Sequence, residues 1–109
     1  RRARGALMNE EQLSAIRRWH EAMIDGEREI EALIEIGFTL ESRLCTSITN
    51  ILGALTNATA QLIGDKGCWL EWYWCDCRMG RTPMDAGKFS RHRKIGGLDD
   101  LIWLMEGGQ

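Results

Sequence analysis

From Leu13 to Leu62, steps of alternately three and four residues land on fifteen positions. Eleven of them are apolar: Leu13, Ile16, Met23, Ile30, Ile34, Leu44, Ile48, Ile51, Leu55, Ala58 and Leu62. That spacing keeps side chains on one side of an α-helix, so Asn9 to Gly64 is predicted to be helical almost throughout. The four misses, His20, Glu27, Gly37 and Glu41, gather around Gly26 and Gly37, where the backbone is also most permissive.

Local chemistry predicts where this stretch starts and breaks. Asn9 can cap the first helix, with Glu10 and Glu11 set against the positive end of its dipole. Gly26 weakens the helix by roughly 1 kcal/mol relative to alanine without stopping it. Gly37 suits a left-handed C-terminal cap, with Thr39 as the next N-cap and Glu41 in the first turn. Two helices of about 27 and 25 residues result, each roughly 40 Å long, and a short turn folds them into an antiparallel hairpin. The alternative is one unbroken helix of about 80 Å that dimerises as a coiled coil. Both readings bury the same stripe. In both, Leu44, Ile48, Ile51 and Leu55 are the expected self-association residues, giving a homodimer. Between Cys45 and Ala60 the second helix is rich in small and short polar residues, which permit close packing on a neighbour. Cys45 reads as a small buried hydrophobe.

Gly64-Asp65-Lys66-Gly67 is a turn and the clearest boundary in the chain. Beyond it, Cys68 to Cys77 holds three of the five tryptophans. As a strand this segment places Leu70, Trp72 and Trp74 on one face; as a helix it aligns Trp69, Trp72, Tyr73 and Asp76, with Leu70, Trp74 and Cys77 beside them. A short helix ending at Gly80 is the favoured reading. Residues 81 to 95, with Pro83, Gly87 and Arg91-His92-Arg93-Lys94, read as an irregular segment or short β-hairpin. Leu98 to Met105 is a short amphipathic helix with Asp99 and Asp100 in its first turn and Gly107-Gly108 behind it. Its Leu98, Ile102 and Met105 stripe is expected to dock on the tryptophan segment or the hairpin. The expected fold is therefore mainly α: a long helical hairpin over 9–64 and a Trp-rich subregion over 67–106.

Composition narrows the partners. With 44% hydrophobic and 28% charged residues in 109, one ordinary globular domain is expected over 8–109. Met8 is expected to be the initiator, with residues 1–7 a tag or non-native leader. The formal net charge of −2 argues against general nucleic-acid binding, which needs clustered cationic surface. Without Arg1, Arg2 and Arg4, 11 basic residues stand against 16 acids, a net of about −5. No run approaches the roughly 18 apolar residues of a membrane span, so a cytoplasmic protein with cysteine thiols is expected.

Candidate chemistry is sparse. Cys68, Cys75, Cys77 and His92 carry the right donors for zinc, but Cys75-x-Cys77 with a distant Cys68 fits ligand spacing poorly, and no metal is expected. Neither His20 nor His92 lies in a nucleophile setting, and no glycine-rich phosphate loop is present. No catalytic residue and no cofactor are expected. The aromatic and basic residues Trp69, Trp72, Trp74, Arg91, Arg93 and Lys94 are the candidates for partner binding.

Trp69-Leu70-Glu71-Trp72-Tyr73 through Gly80, Pro83-Met84-Asp85-Ala86-Gly87 and Leu98-Asp99-Asp100-Leu101-Ile102-Trp103-Leu104 together resemble small accessory proteins encoded by bacteriophages and prophages. The resemblance covers about residues 67 to 106 and carries no catalytic residues over. It implies a non-enzymatic protein that binds and inhibits or modulates a bacterial host protein, such as a defence or transcription component. The alternative is a small regulatory module that binds nucleic acid or zinc through its second half.

Overall fold

The computed structural model describes residues 7–80 and 95–108. Helix α1 runs Glu10–Glu35, α2 Arg43–Ile63 and α3 Cys68–Trp72; α3 continues directly into a π-helix, Tyr73–Arg78, and α4 runs Leu98–Met105. Among the described residues the structure is all-helical, and none of these helices is long and apolar enough to cross a membrane. The irregular or β-hairpin segment expected over 81–95 lies outside the described residues except for Ile95.

The hairpin forms as the caps dictate. Asn9 Oδ1 accepts from the Gln12 amide at 2.8 Å while Gln12 Oε1 accepts from the Asn9 amide at 3.1 Å, a reciprocal capping box. At the other end of α1, the Phe38 amide donates to the Leu33 carbonyl and the Gly37 amide to the Ile34 carbonyl, both at 3.0 Å. These are the two bonds of a Schellman cap, with Gly37 in the left-handed region at φ 109°. The helix therefore breaks at Gly37 and folds back, which rules out the single 80 Å helix. Ser42, not Thr39, caps α2, its hydroxyl accepting from the Cys45 amide at 3.3 Å. Thr39 instead closes the turn, its carbonyl accepting from the Ser42 amide. The second helix is accordingly 21 residues long, shorter than its apolar pattern suggests.

α1 and α2 lie antiparallel along a molecule 52 Å long and 28 by 20 Å across. Trp19 Nε1 donates to Thr56 Oγ1 at 2.9 Å, and Gln12 Nε2 donates to the Leu62 carbonyl at 3.1 Å. Small residues bring the elements close: a side chain at Gly26 would meet Leu52, and one at Gly67 would meet the Ala60 backbone.

The Trp-rich segment is helical, as favoured, and the short strand is not formed. It packs against both helices of the hairpin, with Leu70, Trp72, Tyr73, Trp74 and Cys77 all buried. They join Ile16, Trp19 and Met23 of α1 and Leu101, Ile102 and Met105 of α4 in one core. A helix covered on more than one side is apolar nearly all round, which is why consecutive residues 72–74 can all be buried. The last turn widens: the Met79 amide reaches back five residues to the Trp74 carbonyl at 3.0 Å. Glu106 Oε2 accepts from the Met8 amide at 3.1 Å, linking the end of α4 to the start of the hairpin.

Candidate functional site

The expected stripe holds on α1 and fails on α2. Ile16, Met23 and Ile30 are buried and Leu13 is half-buried, while Ile34, near the turn, is exposed. On α2 the buried residues are Cys45, Leu52, Thr59 and Ile63. Each follows a stripe residue by one position, so the buried face is rotated by about 100° from the predicted one. Leu44, Ile51 and Leu62 are consequently 50%, 66% and 40% exposed. Ile48 and Leu55 are half-buried at the edge of the core, and Ala58 is exposed. Cys45 is a buried small side chain, as expected, and buried Thr59 satisfies its hydroxyl by donating to the Leu55 carbonyl at 2.8 Å.

A second apolar surface lies at the hairpin turn. The Schellman cap fixes the backbone, and Ile34, Ile36, Phe38 and Leu40 are all exposed around it, Ile36 at 74% and Leu40 at 64%. None of the residues between 31 and 44 belongs to the main core. The exposed acids Glu31, Glu35 and Glu41 flank the turn in sequence. Of the four apolar residues only Ile34 falls on the helical stripe. The other three alternate through a turn-forming glycine, a pattern visible in the sequence but outside any helical period.

The aromatic residues expected to bind a partner mostly build the core. Trp72 and Trp74 are buried, Trp69 is half-buried and stacks edge-on against Trp72 at 5.6 Å, and Trp103 is the exposed indole on α4. As placed, Trp72 and Trp74 offer a partner almost no surface. Arg91, Arg93 and Lys94 lie outside the described residues.

Trp19 lies at the centre of an aromatic cluster, in ring contact with His20, Tyr73 and Trp74. The Trp74 ring meets it nearly edge-on at 6.1 Å, and the Arg78 guanidinium sits 5.5 Å from the Trp74 centroid. His20 Nε2 lies 3.3 Å from the Tyr73 hydroxyl. Burial, and then the Arg78 charge, push the His20 imidazole below its ordinary value, with Glu21 opposing. Burial pushes the Tyr73 hydroxyl up, against the opposing Arg78 charge. Both shifts favour the neutral forms. A cleft of about 260 Å³ opens beside this cluster, floored by Met23, Leu52 and Trp74, with Glu27 and Glu71 also in its lining. Trp74 Nε1 is buried and has no hydrogen-bond partner among the described residues.

All four cysteines are thiols, Cys45 and Cys77 buried and Cys68 and Cys75 half-buried. The Cys77 sulfur accepts from the Ile95 amide at 3.4 Å, which ties the segment before α4 to the π-helix. His92, the fourth member of the weak zinc set, lies outside the described residues. Among the described residues no three His, Cys, Asp or Glu side chains are grouped to hold a metal ion. No protein-family model, curated protein or solved structure matches the chain.

Proposed function

We propose that this chain is a non-enzymatic protein-binding module that engages a partner through the turn of its helical hairpin. The observation that carries the reading is the exposure of Ile34, Ile36, Phe38 and Leu40 on a turn whose backbone is locked by its cap. Exposed apolar clusters of this kind are costly in water and commonly mark interaction surfaces. The neighbouring Glu31, Glu35 and Glu41 suit a partner with an apolar pocket and a basic rim. The Trp-rich half supports this role as the core on which the hairpin packs. The resemblance of residues 67–106 to phage accessory proteins supports a bacterial host protein as the partner, met in the cytoplasm, with inhibition or modulation as the outcome.

The test is affinity capture from bacterial lysate with the parent chain and with an Ile36→Asp, Leu40→Asp variant, followed by mass spectrometry. One host protein held by the parent and released by the variant, at equal helical content, is the expected result. Equal recovery by both chains overturns the reading. Stoichiometric zinc, or DNA affinity that falls steeply with salt, would favour the regulatory nucleic-acid or zinc module instead.

A further inference from the structure

The outward stripe on α2 has the spacing of a coiled-coil seam. Leu44, Ile48, Ile51, Leu55, Ala58 and Leu62 follow one another at steps of four, three, four, three and four residues. α1 packs on an adjacent face, so Leu44, Ile51, Ala58 and Leu62 are exposed in a single copy of the chain, with Ile48 and Leu55 half-buried at the edge of the core. Its surroundings are also unusual for water-exposed helix: after Arg43, α2 contains no charged residue. Depletion of charge around apolar side chains is the composition of an interface centre.

The seam is self-complementary in one orientation. If a second α2 is laid antiparallel about a two-fold axis level with residue 53, Leu44 meets the copy's Leu62, Ile48 meets Ala58 and Ile51 meets Leu55. Every seam residue then finds an apolar counterpart, large Ile48 meets small Ala58, and the two helix dipoles oppose. The roughly 100° between the seam and the α1-facing side is close to the right angle between neighbours in a four-helix bundle. We propose that a second copy of this chain docks on α2 in this antiparallel register, joining two hairpins into a four-helix bundle.

The area is small. A helix of 21 residues is about 31 Å long and about 10 Å wide, so the strip covers roughly 310 Å² on each copy. That is below the size of stable specific interfaces, so the dimer is weak and reversible, dissociating across the micromolar range.

Sedimentation equilibrium of the full chain from about 1 to about 200 µM spans that range. The expected species at the upper end has twice the 12.4 kDa mass of the chain. Ile51→Glu is expected to weaken association by at least about 100-fold, since it buries a charge in two layers. Ile51 is exposed in the single copy, so the variant's circular dichroism should match the parent's. Register is read by Leu44→Glu and Leu62→Lys, each on its own copy. Either variant alone is expected to be monomeric. Mixing the two restores a dimer, because antiparallel pairing sets the carboxylate introduced at position 44 of one copy against the ammonium introduced at position 62 of the other. A monomer throughout the range, association unaffected by Ile51→Glu, a species larger than a dimer, or mixing without rescue overturns the proposal. These residues lie outside the Ile34–Leu40 turn, so capture of a host protein and dimerisation succeed or fail separately.

Discussion

The two long helices carry the same apolar period and treat their outer faces in opposite ways. Of the 26 residues of α1, eleven are charged; of the 21 of α2, only Arg43 is. α1 turns its apolar stripe into the core and its charges to water, the ordinary arrangement of a surface helix. α2 buries a stripe offset by one residue from the regular one, leaving Leu44, Ile51, Ala58 and Leu62 and a set of short polar residues outside, with Ile48 and Leu55 at the edge of the core. A periodic apolar stripe thus shows that a helix has something to bury, but not which neighbour will cover it.

The largest expected effect tests what holds the pair together. Trp19 is fully buried, bonded to Thr56 and in ring contact with Tyr73 and Trp74. Trp19→Ala should cost about 4 kcal/mol in urea unfolding, enough to unfold much of the population if the domain is marginally stable. The offset on α2 is tested by two adjacent residues. Leu52→Ala should cost about 2–3 kcal/mol, whereas Ile51→Ala at a dilution where copies do not associate should stay within about 0.5 kcal/mol. Equal costs would mean that the regular stripe, and not its neighbour, faces the core.

Two mid-helix glycines sharpen the same contrast at smaller scale. A Cβ at Gly53 meets nothing within 4 Å, so Gly53→Ala should stabilise by roughly 0.5–1 kcal/mol through helix propensity. A Cβ at Gly26 comes within 2.7 Å of both Leu52 methyl groups, and Leu52 is buried. The crowding offsets the propensity gain, so Gly26→Ala should be neutral to about 1 kcal/mol destabilising in thermal melts.

The smallest effect is a pH dependence at the aromatic cluster. The unfolded chain protonates His20 near 6.5, while the folded chain resists protonation until lower pH because of burial and Arg78. Between those two values the unfolded state binds more protons, so this contribution to stability is present above about pH 6.5 and is lost as pH falls below it. Urea midpoints at about pH 7.5 and 5.5 should show a drop in the parent that shrinks in His20→Gln. An unchanged drop would remove His20 from the account.

Much of the fold was legible because its signals are local. Asn9 and Gly37 declare the ends of α1, Gly64 and Gly80 adopt the left-handed backbone expected of helix ends, and Asp99-Asp100 opens α4. Thr39 misled because it is as good a cap as Ser42 by type, and the tight turn after the Schellman cap decides between them. The burial of Trp72 and Trp74 was not legible in the sequence because bulk alone does not distinguish an interface from a core. Trp72 and Trp74 are buried since α3 and the π-helix are covered on more than one side. The exposed turn residues Ile36, Phe38 and Leu40 were in plain view, but no helical period includes them.

The sequence by itself determined where α1 begins and ends and where α2 stops, because caps and left-handed glycines act within a few residues. It also determined that α2 carries apolar residues at 44, 48, 51, 55, 58 and 62 without a single charge among them. Only the tertiary structure decided that Leu52 goes inside and Ile51 outside. Two apolar faces one residue apart are nearly equivalent to an isolated helix, and the choice between them is made by the shapes facing it: Gly26 opening a space for Leu52, and Trp19 reaching Thr56.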